Sequence, residues 1–130
     1  MQRKFAPIQI SSLVLFEFRQ SLRLQAFRFS KDRTQGFSKT EARRTLEALN
    51  ANLLTGQFLI PPIEDWAKVY SIAEVLSAQY TMQGGHRSFD VLHVATAIHL
   101  KTDNFLTFDA SQAILAKNVG LDIYPDLSKV

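Results

Sequence analysis

The stretch Phe89-Asp90-Val91-Leu92-His93-Val94-Ala95-Thr96-Ala97-Ile98 constrains the fold more than any other. Read as a helix from Phe89 to about Leu100, it is apolar nearly all round. Such a helix must be covered on most sides, and a sheet is the expected cover. Ser88 is placed to cap it. The remaining chain alternates short apolar runs with helical periodicity. Ile8-Gln9-Ile10-Ser11 reads as a strand after Pro7, and Ser11 or Ser12 as the cap of a helix over about Leu13 to Phe29. Ser30 to Phe37 is a polar loop. Ser38-Lys39-Thr40-Glu41 has capping-box spacing and opens a helix with Ala42, Leu46, Leu49 and Leu53 on one face. Gly56 closes that helix, and Phe58-Leu59-Ile60 is a brief strand stopped by Pro61-Pro62. A third helix from Ile63 carries Val69, Ile72, Ala73, Leu76 and Tyr80 at helical spacing until Gly84-Gly85. Phe105 to Phe108 is a strand, a short helix follows from Ser111 to Gly120, and Leu121 to Tyr124 is the last strand.

Helices between short apolar strands imply a parallel sheet with both faces covered, a three-layer α/β/α arrangement in one domain spanning residues 1–130. The opening departs from that pattern. Residues 1–6 read as the tail of a helix, and no buried strand precedes Ile8.

Three acids stand where a structural role is hard to find. Glu17 interrupts Leu13-Val14-Leu15-Phe16-Glu17-Phe18, Asp90 lies in the first turn of the most apolar helix, and Asp109 follows Thr107-Phe108 at the carboxyl end of a strand. Ligands of open α/β sheets bind at the carboxyl ends of the strands. Clustered carboxylates repel, so a hard divalent cation is the natural reason to keep them together, and an all-oxygen set suits Mg²⁺ or Mn²⁺ better than zinc. Each acid also has a plainer reading. Glu17 can pair with Arg19 or Arg23, Asp90 can complement the helix dipole, and Asp109 can cap the helix that contains Ser111. His93 and His99 lie six apart on different faces, and His86 is a loop residue or a substrate contact. The chain contains no phosphate-binding glycine loop, no nucleophile elbow and no cysteine, which argues against P-loop, serine-hydrolase and thiolate-zinc chemistry.

The net charge of +3 conceals an asymmetry. Residues 1–50 hold ten Lys and Arg against four acids, and the remainder is net acidic. A basic half attracts a polyphosphate, although a solvated helical face gives the same composition. With no transmembrane-length apolar run and no leader pattern, the expectation is a cytoplasmic protein without a membrane partner.

The segment Arg87-Ser88-Phe89-Asp90-Val91-Leu92-His93-Val94-Ala95-Thr96-Ala97 resembles the R-x-x-D-x-x-H-x-A-x-A stretch around the third acid of the PIN-domain family, especially its VapC-type toxins. Phe105-Leu106-Thr107-Phe108-Asp109 resembles the family's T-x-D with the last acid, and Ser11 to Phe18 is similar to the segment bearing the second. The resemblance implies a PIN-like fold and metal-dependent endoribonuclease activity, with Glu17, Asp90 and Asp109 as Mg²⁺ or Mn²⁺ ligands and Thr107 as an accessory hydroxyl. It also implies RNA and an antitoxin protein as partners. The family's first, central strand and its first acid have no counterpart here. The expectation is therefore an N-terminally truncated domain with impaired cleavage, dimeric, with a swapped strand or segment as one way of replacing what is missing. A catalytically inactive module that binds RNA or an antitoxin peptide is the alternative.

Overall fold

A computed structural model describes residues 7–125, and the helix tail expected over residues 1–6 lies outside them. The chain divides into two compact units, Met1–Pro62 and Ile63–Val130.

The first unit contains β1 (Ile8–Gln9), α1 (Ser12–Lys31), α2 (Lys39–Leu54) and β2 (Phe58–Leu59). The Ser11 hydroxyl accepts from Val14 N at 3.1 Å and the Ser38 hydroxyl from Glu41 N at 3.2 Å, so both caps fall where the sequence puts them. Leu15, Leu22 and Ala26 form one buried stripe on α1, which packs against α2, where Ala42 and Leu49 are buried. Between the helices Asp32 Oδ1 accepts from both the amide and the hydroxyl of Thr34. Gly36 then takes φ +66°, and a Cβ there would overlap the Gln25 carbonyl oxygen, so the turn requires glycine. β1 and β2 pair in parallel, with Ile8 N donating to Gln57 O and Ile10 N to Leu59 O.

The second unit runs α3 (Trp66–Leu76), a π-helical turn (Ser77–Thr81), α4 (Met82–Gly84), α5 (Ser88–His99), β3 (Asn104–Leu106), α6 (Ala110–Asn118) and β4 (Asp122–Tyr124). Its core joins Val69, Ala73 and Leu76 of α3 to Val91, Val94, Ala95 and Ala97 of α5, and to Leu115, Ala116 and Leu121. Val69, Val94 and Leu115 are fully enclosed, each stabilising the fold by about 1.5–3 kcal/mol relative to exposure. Every residue from Val91 to Ala97 except Leu92 is buried. β3 and β4 pair in parallel, Phe105 opposite Ile123.

This arrangement corrects the expected three-layer α/β/α sheet with its PIN-like order. The described residues form a mostly helical chain with two separate two-stranded parallel sheets. A layered sheet needs at least one central strand bonded along both edges, and each described strand is two or three residues long with a single partner. The cover of α5 is corrected with it: α3 and α6 enclose this helix, where a sheet face was anticipated. Two local boundaries also move. Ser88 is the first residue of α5, not its cap, and the third helix begins at Trp66 behind an Asp65 cap. None of the helices among the described residues is long and apolar enough to cross a membrane.

Candidate functional site

Asp109 is the N-cap of α6, and its Oδ1 accepts from Gln112 N at 2.9 Å. The plainer reading of this residue, a cap, is thus part of its geometry, but the side chain remains exposed. Thr107 supports it from behind. The Thr107 hydroxyl accepts from Asp109 N at 3.1 Å and donates to Gln112 Oε1 at 2.7 Å. One buried hydroxyl and one buried carboxamide therefore fix the backbone that presents the Asp109 carboxylate. Gln112 escaped the sequence reading, although Asp109-Ala110-Ser111-Gln112 has the acid-x-x-Gln spacing of a capping box and signals a side chain returning to the helix start.

Asp90 is half-buried in the first turn of α5. The cap position of that helix is held by Arg87, whose side chain makes no capping bond. An acid at this point is favoured by the unsatisfied amides and partial positive charge of the helix start. His86, just ahead of α5, places Nδ1 3.3 Å from the hydroxyl of Ser111 in the first turn of α6. That contact joins the loop ahead of α5 to the first turn of α6. His93 is buried inside α5 with its ring stacked on Phe89, centroids 6.5 Å apart, in a core position unlike that of an exposed ligand.

Glu17 belongs to the first unit, half-buried on α1. Two residues on, Arg19 donates to Asn50 Oδ1 at 3.4 Å. The basic residues of this unit are concentrated further along. Arg23, Phe27 and Ser30 of α1 with Lys39, Arg43 and Leu46 of α2 line an open cavity of about 420 Å³. Three cations over an apolar floor suit an anion that carries an apolar part.

Among the described residues, no group of three or more His, Asp or Glu side chains is arranged to hold a metal ion. Asp90 and Asp109 are two carboxylates near helix starts, and Mg²⁺ is the cation that takes as few as one or two, keeping several waters and binding substrate phosphate. They do not fit a fully protein-enclosed zinc or calcium site. Comparison with known protein families, curated proteins and solved structures finds no match.

Proposed function

We propose that this chain contributes to a cytoplasmic Mg²⁺- or Mn²⁺-dependent endoribonuclease, impaired in this form, acting on RNA phosphodiesters and held in check by an antitoxin-like protein. One observation supports the reading: the His86–Ser111 contact ties the loop ahead of α5, the helix that carries Asp90, to the first turn of α6, the helix that Asp109 caps. The two helix starts offset part of the repulsion between the carboxylates. Gln112 N holds one oxygen of Asp109, and Thr107 fixes the backbone ahead of it, so the exposed carboxylate has little freedom to swing. When bound, the cation supplies a polarised phosphodiester oxygen and a water of lowered pKa. Glu17 enters the proposal on the sequence resemblance alone, as does a dimeric state. The basic face of α1 and α2 provides affinity for the RNA backbone.

The test is Mn²⁺ binding by the purified chain, followed by electron paramagnetic resonance. Asp90→Asn and Asp109→Asn are expected to weaken it at least about tenfold each, since even an outer-shell partner of a bound metal contributes that much. RNA cleavage, where present, is lost in the same variants. Binding that both variants retain refutes the site.

A second reading, an RNA- or peptide-binding module without catalysis, is favoured by the amphipathic cavity between α1 and α2. It predicts that Asp90→Asn leaves both growth arrest in the host cell and RNA affinity unchanged.

A further inference from the structure

The second unit contains a cavity of about 410 Å³ that the metal reading leaves unused. Tyr80, Gln83 and Gly84 form one wall, His86 the next, and Ser111, Ile114 and Asn118 the third. The last three lie at i, i+3 and i+7, on one face of α6. We infer that this cavity is a nucleobase subsite that sets which base lies beside the cleaved phosphodiester. The inference takes its RNA substrate from the function proposed above.

Size and chemistry both favour an uncharged heterocycle. The volume is at the small end of the roughly 300–1,000 Å³ typical of small-molecule sites. No Asp, Glu, Lys or Arg lines it, so no permanently charged side chain there favours an ion over a neutral heterocycle. Gln83 and Asn118 each offer an amide donor and a carbonyl acceptor, the pair that matches the edge of a base. Tyr80 supplies a ring and Ile114 an apolar surface. Single-stranded RNA is read by this combination, stacking on aromatic rings with hydrogen bonds to exposed base edges.

The walls are held in place by the fold around them, with Tyr80 packed partly against the hydrophobic core. Tyr80 lies in the π-helical turn, and such turns recur at functional sites. A side chain at residue 84 would overlap His86 Nε2, so glycine there lets the imidazole close against the chain. The other ring nitrogen meets Ser111. The same contact joins the cavity to the two acids: His86 is four residues before Asp90, and Ser111 two after Asp109. A base seated here is expected to leave its phosphate toward those carboxylates.

The experiment compares affinities of fluorescein-labelled hexamers of adenylate, cytidylate and uridylate for the full chain by anisotropy, in EDTA to prevent metal-dependent cleavage. The wild type is expected to separate the best from the worst hexamer by at least about fivefold, the scale of one net hydrogen bond. Gln83→Leu and Asn118→Leu, both at exposed positions that the fold tolerates, are expected to reduce that spread to less than twofold. Equal wild-type affinity for all three hexamers, or a spread unchanged in both variants, overturns the subsite. Mn²⁺ binding is measured on EDTA-free aliquots of the same protein preparations, without RNA. A base preference that the two leucine variants abolish, in a chain that binds no Mn²⁺, upholds the subsite and overturns the nuclease reading. Mn²⁺ binding without base preference does the reverse.

Discussion

Thr107 donates its hydroxyl hydrogen to Gln112 Oε1 across 2.7 Å, and both side chains are buried. The same hydroxyl accepts from Asp109 N, so one oxygen couples the end of β3 to the start of α6. Thr107→Val keeps the shape but leaves a buried carboxamide oxygen and an amide without this partner. The expected loss is about 1–3 kcal/mol in urea unfolding. Adding Gln112→Leu to Thr107→Val should recover part of that loss, because the orphaned carboxamide is removed with its partner. A double variant less stable than the sum of the single changes would contradict the coupling.

Asp109 has two separable duties, and two substitutions divide them. Asparagine caps helices as well as aspartate does, so Asp109→Asn should leave the thermal midpoint nearly unchanged while weakening Mn²⁺ binding. Asp109→Ala should lower both, with a stability cost of about 0.5–2 kcal/mol. Calorimetry alongside Mn²⁺ titration reads the two effects independently.

Arg23, Lys39 and Arg43 surround one cavity on the first unit. If they contact RNA phosphates, replacing all three with Ala should reduce the slope of log affinity against log salt by about 2, from roughly 0.7 per phosphate contact on a single strand. An unchanged slope in anisotropy titrations from low to high salt would remove this face from RNA binding.

The Thr34 hydroxyl and amide, both donating to Asp32 Oδ1, hold that carboxyl below its ordinary value of 3.8. A depressed folded-state pKa means that its contribution is present at pH values above the unfolded pKa. It is lost as pH falls through the lower folded value. The turn between α1 and α2 should therefore keep its Thr34 amide shift at neutral pH and lose it only in acid below the usual carboxylate range. Asp32→Asn should abolish that titration. An amide shift that titrates at the unperturbed carboxyl value would show that the bonds do not persist in solution.

The starts of α1 and α2 were legible, whereas those of α3, α5 and α6 moved by one to three residues. Ser11 and Ser38 cap where their spacing says, because a cap is a bond between residues three apart. The burial of α5 was legible too, since a run without a polar face leaves no side for water. Asp109 was visible as an acid at the end of a strand, but its support by Gln112 was not read from the spacing, and the His86–Ser111 contact spans 25 residues with no local trace.

What the residues decided by themselves was local: where α1 and α2 begin, that a polar loop separates them, and that the Val91–Ala97 stretch needs cover. Tertiary structure alone decided what provides that cover, helices α3 and α6, and that among the described residues the short strands pair as β1 with β2 and β3 with β4. The reason is physical. Periodicity records which faces avoid water, whereas a strand's bonding partners and a helix's neighbours depend on distant groups that periodicity does not encode.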